Sequence, residues 1–189
     1  MKFKNEISDT GFWIKNSSGE HRFITELSTQ INNFVEKHNI KTVYDFGCGL
    51  GDYLDQLTKS YPDIIATGFE GHQTDGNFNN IVKQDLSENI NLPKVDLVIS
   101  IEVGEHIPKE FEQIFIDNIT NHSNKHIILS WAIENQNGLG HINCQNNDYI
   151  IPEMNKRGWV FDRIATDNFR SNMPDGNWLC RSLMIFYKD

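Results

Sequence analysis

The sequence has little of what several specialised protein classes require. It holds three cysteines, Cys48, Cys144 and Cys180, in 189 residues. They are odd in number and far apart, so they form neither a disulfide framework nor the close spacing of a thiolate metal site. No apolar run approaches the ~20 residues that a membrane helix needs. Met1 to Glu6 carry charges with no apolar core behind them, which does not read as a signal peptide. The expectations are a reducing, cytoplasmic setting and no membrane partner. Basic residues are also scarce. Lys and Arg number 17 against 26 Asp and Glu, a formal net charge of −9. Phosphate backbones need clustered cations, so this balance argues against nucleic acid as a partner. Internal repeats and low-complexity linkers are lacking too.

What is there reads as alternating strands and helices. A chain of this length can bury roughly 70% of its unfolded surface. Residues 8–19 read as a loop with an aromatic plug. From about Glu20 to Lys37, apolar residues fall at helical intervals (Phe23, Ile24, Leu27, Ile31, Phe34, Val35), and Asn39 suits the helix end. This helix is expected as an appendage on the core. Strands are expected over Ile40–Phe46, Ile64–Phe69, Ile81–Lys83, Val95–Ile101 and His126–Trp131. Helices are expected over Asp52–Ser60, from Pro108 to about Asn121, and over Tyr149–Arg157 despite Pro152. Trp159–Thr166 and Arg181–Tyr187 read as two closing strands, with Met173-Pro174-Asp175-Gly176 as a turn between them. Alternation of this kind gives an α/β fold. The expected form is a seven-stranded sheet, mostly parallel, with an antiparallel edge hairpin and helices on both faces.

One stretch concentrates the chemistry. Asp45-Phe46-Gly47-Cys48-Gly49-Leu50-Gly51-Asp52 ends a strand, turns on glycines and opens a helix. Glycine allows close backbone approach, and a helix N-terminus offers unpaired N–H groups. Together they make a ledge for a small polar ligand. A dinucleotide site would read G-x-G-x-x-G, whereas here the sixth position from Gly47 is Asp52. An acid there faces a pyrophosphate unfavourably, and Asp45 suits a ligand with positive charge. Cys48 sits inside the ledge as a small packing residue rather than a nucleophile.

Asp45-Phe46-Gly47-Cys48-Gly49 followed by Gly51 resembles motif I of the class I S-adenosylmethionine-dependent methyltransferases, and the resemblance extends along most of the chain. It implies S-adenosylmethionine as cofactor, with Asp45, Phe46, Gly47, Cys48 and Gly49 at its amino-acid part. It further implies Glu70 on the ribose hydroxyls, Asp85 and Leu86 at the adenine, and Glu102 beside the methionine portion. Each of the acids closes a strand, where open α/β sheets bind ligands. The resemblance also implies that the α/β sheet is Rossmann-like. The length suits a single domain, 1–189, expected to comprise an N-terminal lid and helix over 1–38 and a cofactor-binding core over 39–189.

A second group follows the fourth strand. In Ile101-Glu102-Val103-Gly104-Glu105-His106, offsets of three and four place Glu105 and His106 on the side of Glu102 if the turn is helical. The loop after the next strand brings His141 to the same edge. Two carboxylates and imidazoles suit a divalent cation; oxygen ligands favour magnesium or manganese, and imidazole admits zinc or iron. Glu102, Glu105 and His106 match the E-x-x-E-H signature that resembles two methyltransferase groups, the ubiquinone-pathway O-methyltransferases and the small-RNA 2′-O-methyltransferases. His141 is only a positional analogue of the further His of the RNA group. The metal set is then Glu102, Glu105, His106 and His141. A metal-free site, with His106 or His141 as general base and Glu105 beside it, stands equally. Trp131 is a candidate pocket floor, Phe12, Trp13 and His21 a candidate lid, and Arg170 and Trp178 candidates on the acceptor side.

The expected activity is O-methylation of a small acceptor, with a sugar or other vicinal-hydroxyl compound favoured. An RNA 2′-O-methyltransferase-like enzyme, an NAD(P)-dependent oxidoreductase and a non-catalytic cofactor-binding protein are the competing readings.

Overall fold

The computed structural model describes residues 7–14, 22–72 and 76–188. Met1 to Glu6, Glu20 at the expected helix start and the lid candidate His21 lie outside the described residues. In chain order the elements are α1 (Thr25–Lys37), β1 (Thr42–Phe46), α2 (Asp52–Ser60), β2 (Ile65–Glu70), β3 (Ile81–Lys83) and β4 (Val95–Ser100). Two 3₁₀ turns follow (Gly104–His106, Lys109–Phe111), then α3 (Glu112–Asn121), β5 (Ser123–Ser130), α4 (Asn147–Asn155), β6 (Val160–Phe161), α5 (Arg163–Ser171), α6 (Leu179–Ser182) and β7 (Leu183–Tyr187).

The strands form one seven-stranded sheet in the order β3-β2-β1-β4-β5-β7-β6. The pairs β1–β2, β1–β4, β2–β3 and β4–β5 are parallel, and β7 runs antiparallel to both β5 and β6. Successive side chains of a strand face opposite ways, and the core divides accordingly. Val43, Leu97, Ile99, Ile128, Leu183 and Ile185 face one apolar layer. Phe46, Val98, Ile127, Leu129, Met184 and Phe186 face the other. Helices α1, α2, α5 and α6 cover the first layer, and α3 and α4 the second.

Helix α1 is part of this core and not an appendage. Its Leu27, Ile31, Phe34 and Val35 are all buried in the first layer, beside Leu54, Leu57 and Phe169. Asn39 ends the helix in the left-handed region (φ 50°), and the Ile40 N–H bonds the Val35 carbonyl at 3.0 Å. The apolar face was legible; its partners were not, because packing between distant segments leaves no local mark.

The second difference lies near the C-terminal end. Where two strands joined by a turn were expected, β6 stops after two residues and α5 follows. Asp162 caps α5, its side chain accepting the Ala165 N–H at 2.9 Å. Thr166, Phe169 and Met173 are buried at intervals of three and four, and Ile164 is 85% exposed. The helical period thus begins inside the stretch that looked like a strand. The two closing strands do pair antiparallel, with β6 at the sheet edge, but across two helices instead of a hairpin.

Truncating a fully buried leucine costs about 2–5 kcal/mol. Leu27→Ala is therefore expected to lower global stability by that amount in urea denaturation, with a single transition followed by both helical signal and tryptophan fluorescence. A loss below about 1 kcal/mol would mean that α1 sits on the core without belonging to it.

Candidate functional site

The carboxyl ends of β1, β2 and β4 open on one cavity of about 370 Å³. Of the expected cofactor residues, Asp45, Gly47, Cys48, Gly49, Glu70, Asp85, Leu86 and Glu102 line it. Phe46 does not. Its ring is fully buried against Phe69, with centroids 5.0 Å apart, and only its carbonyl faces a functional group, the Ser100 hydroxyl at 2.7 Å. It stands behind the ledge as a core residue.

The ledge is shaped by backbone that glycine alone adopts without strain. Gly47 and Gly51 have φ of 82° and 76°, and a Cβ at Gly47 would overlap the side chain of Val103. The N–H groups of Gly47 and Cys48 both reach the Phe69 carbonyl, at 2.8 and 3.1 Å. Glu70 spans the turn: one oxygen accepts the Gly49 N–H and the other the Gly71 N–H, each at 2.9 Å. Asp85 is held at 2.9 and 2.7 Å by the N–H and hydroxyl of Ser87, and at 2.7 Å by the Thr10 hydroxyl.

The ionisable side chains of the wall are mostly acids. Asp45, Asp52, Glu70, Asp85 and Glu102 line the cavity, with Arg22 the single Lys or Arg among the described lining residues. Arg22 lies over the ring of Trp178 at 5.6 Å. Asp45 is only 2% exposed. Burial, reinforced by the charge of Glu70, pushes its carboxyl up to about 8. The Cys48 thiol is likewise driven up, first by burial and then by Asp45 and Glu70, so it holds its proton and is no nucleophile.

At the far end, the 3₁₀ turn Gly104–His106 and the loop after β5 are tied together. The Glu105 carbonyl accepts the N–H groups of Ile142 and Asn143 at 3.0 and 2.9 Å. The Asn143 side chain bonds buried Glu112 at 2.9 Å. This brings His141 beside the turn. His106 Nδ1 lies 3.2 Å from the Gly140 carbonyl and His141 Nδ1 lies 3.0 Å from the Gln136 carbonyl. A carbonyl only accepts, so each Nδ1 carries the hydrogen. His141 Nε2 is 3.8 Å from a Glu105 oxygen.

Glu105, His106 and His141 each offer one ligand atom, and these atoms lie within 4.8 Å of one another. Glu105 is 0% exposed, and neither of its oxygens makes a hydrogen bond among the described residues. Burial, and secondarily Glu102, drives its carboxyl well above the carboxylate range. Glu102, expected in the same set, is not in that group. Its oxygens accept from Gln136 Nε2 at 2.5 Å and the Ser182 hydroxyl at 3.0 Å.

Other expected residues sort plainly. Phe12, Trp13 and Trp178 line the cavity; Trp13 meets His106 edge-on at 5.9 Å, and Phe12 packs on Gly71. Trp131 is no floor. It is fully buried beneath Gly104 and donates its Nε1–H to the Asn143 carbonyl at 2.7 Å. Arg170 lies off the cavity, with its Nε on the Leu183 carbonyl at 2.8 Å. Thr10, Arg22, Phe23 and Gln136 line the site without having been singled out. They gave no sign of their direction, because the role of each depends on distant partners.

No family model matches the sequence, and no curated protein does. Solved structures do. The chain is similar to magnesium protoporphyrin IX methyltransferase from Synechocystis PCC 6803 with bound SAM, at TM-score 0.63 and 17% identity, over 86% of this chain and 78% of that one. It is similar to a sugar N-methyltransferase from a Streptoalloteichus species, at 0.67 and 11%, over 90% of each. It is also similar to the methyltransferase domain of bacterial-CtHen1-C, at 0.62 and 17%, over 86% and 97%. The fold is therefore the Rossmann-like methyltransferase fold, mostly parallel with antiparallel strands at one edge.

The raised Asp45 carboxyl gives a pH dependence. Unfolded, it loses its proton near 3.8; folded, near 8. Stability is thus fully present below the lower value and falls as pH rises towards the upper. Asp45→Asn removes this loss. Its stability relative to the parent is expected to rise by a few kcal/mol between about pH 5 and pH 8 in urea titrations at each pH, and an unchanged difference would contradict the assignment.

Proposed function

We propose that the protein transfers a methyl group from S-adenosylmethionine to a hydroxyl of a small acceptor that carries vicinal oxygens. The observation that carries this reading is the shared cavity. Acids from three successive strand ends and a glycine ledge line one part of it, and His106 and His141 line the other, with Glu105 buried within ligand distance of both. An acid-walled cavity favours a sulfonium donor over an anionic dinucleotide. The likeness to solved methyltransferases supports the fold on which the reading rests.

In this reading the Gly47–Gly51 ledge, with Asp45 beneath it, takes the amino-acid part of the donor, Glu70 its ribose, and Asp85 with Leu86 its adenine. The sulfonium methyl is intrinsically reactive, so the protein's main task is alignment for in-line attack, worth ~7–11 kcal/mol. His106 and His141 hold or accept the proton of the acceptor hydroxyl as the new C–O bond forms and the C–S bond breaks. Trp13 and Trp178 bound the acceptor.

Glu105, His106 and His141 fit a divalent cation. A buried carboxylate whose oxygens have no hydrogen bond among the described residues stands beside two imidazoles oriented through Nδ1. Two nitrogens and one carboxylate suit a borderline ion such as cobalt, iron or zinc better than magnesium or manganese. A bound cation would lower the pKa of the acceptor hydroxyl and orient vicinal oxygens. Sugars and the terminal ribose of RNA share that feature; the net charge of −9 favours the small acceptor.

Calorimetric titration with S-adenosylmethionine, S-adenosylhomocysteine and NAD is the first test. The first two are expected to bind and NAD is not; tight NAD binding alone would overturn the reading. A methyl-transfer screen over sugars, catechols and RNA, with and without added divalent ion, then identifies the acceptor. Glu105→Gln and His141→Ala are expected to lower turnover about 10²–10⁴-fold while leaving donor affinity within a few-fold. Unchanged turnover and an unchanged response to EDTA would make the group structural.

A further inference from the structure

We infer that Glu102 is a positioning residue that acts through Gln136 on His141, and is not itself a cation ligand. The metal half of this inference rests on the reading of Glu105, His106 and His141 as a cation site; the positioning half does not.

The two acids stand three residues apart and differ in every partner. Glu105 has no hydrogen bond on either oxygen among the described residues. Glu102 has both oxygens engaged, one by the Ser182 hydroxyl at 3.0 Å and the other by Gln136 Nε2 at 2.5 Å. Its own N–H donates to the Ser130 hydroxyl at 2.8 Å. Ser130 and Ser182 are both fully buried. Glu102 therefore joins the exit of β4 to the ends of β5 and α6.

The backbone at Glu102 explains the direction. Its φ of 53° lies in the left-handed region, shared among the described non-glycine residues only with Asn39 and Asn135. For a side chain that cannot bond its own backbone as Asn does, this conformation persists only where surrounding contacts over-determine it. Here those contacts are Ser130, Ser182 and Gln136. They direct the carboxylate to Gln136 and to Ser182 at the end of α6, so that Glu102 stays near Glu105 and His141 without joining the group formed by Glu105, His106 and His141.

Gln136 carries the effect onward. Its side chain is anchored on Glu102, and its carbonyl accepts Nδ1–H of His141 at 3.0 Å. With Nδ1 protonated, the Nε2 lone pair of His141 faces Glu105, 3.8 Å away. The chain Ser182–Glu102–Gln136–His141 thus selects which imidazole nitrogen is presented. Such outer partners typically change metal affinity about 10–100-fold without touching the ion.

Two measurements test this. In the cation-free protein, ring ¹⁵N shifts of His141 are expected to report the Nδ1–H tautomer. Glu102→Gln keeps an oxygen for Gln136 and is expected to preserve it. Gln136→Ala is expected to yield a mixture, while the unfolding midpoint stays that of the parent within a degree or two. An unchanged tautomer in Gln136→Ala would overturn the positioning role, whether or not any ion binds.

The second is a Co²⁺ titration followed by its visible absorption. Glu102→Gln is expected to bind within about threefold of the parent, Gln136→Ala about 10–100-fold more weakly, and Glu105→Gln more weakly still. The double variant Glu102→Ala/Gln136→Ala should lose no more than its weaker single parent, because both act along one chain. Loss in Glu102→Gln as large as in Glu105→Gln would make Glu102 a ligand and overturn the inference. Absence of Co²⁺ binding by the parent would instead overturn the cation site, and the tautomer measurement alone then decides the positioning role.

Discussion

Parallel strands cannot be joined by tight hairpins, so the chain must cross back along the sheet before each new parallel strand begins. Strands β1 to β5 consequently all end on the same edge of the sheet. The rest of the structure depends on that constraint. Asp45, Glu70, Asp85 and Glu102 are far apart in sequence, yet each stands at or just after a strand end and faces one cavity. No side-chain contact is needed to gather them; the ladder register does it. The apolar layers on both faces then fix the sheet rigidly enough for the edge to carry polar groups that gain little from folding.

Those groups are costly. A carboxylate taken from water costs several kcal/mol unless it is paired. Asp45 meets the cost by holding its proton to about 8. Glu105 lies deeper, with no hydrogen bond to its oxygens among the described residues and with Glu102 nearby, and is driven the same way. A structure selected for stability alone would place leucine or glutamine there. The burden is tolerable because it is confined to the cavity and its immediate wall, while Leu27, Leu57, Leu97, Ile128 and Phe186 are buried without polar conflict. Two other shielded acids are paired: Lys125 neutralises Asp96, and Lys109 neutralises Glu112.

Much of this was legible in the sequence, and the rest has physical reasons for being hidden. Strand ends and the glycine turn could be read because local backbone geometry dictates local composition. The bounds of α2 and β3 came out as expected for that reason. Helix α5 was hidden because Trp159 to Thr166 alternates well enough for a strand until Asp162 is recognised as a cap, and a cap is defined by the helix beyond it. Phe46 stands beside a candidate position in sequence but points into the core, since neighbours along a strand face opposite layers, and Trp131, just past β5, is buried in the same layer. Gln136 carried no sign of its place at all. Its orientation depends on Glu102, and Glu102 in turn on serines of two other strand and helix ends.

That dependence bears on how the two ends of the cavity communicate. Residues 7–14 touch both. Thr10 bonds Asp85, Phe12 packs on Gly71, and Gly11 and Trp13 lie against His106. Ile7 approaches Gly140, whose carbonyl holds the His106 ring. Asp85 and the imidazole group are therefore linked through one short segment as well as through the sheet. A substitution at Asp85 changes the partners of Thr10, and Thr10 is the chain neighbour of Gly11, which lies against the His106 backbone. The two ends of the cavity differ in chemistry, but residues 7–14 lie against both and make their geometry a single problem.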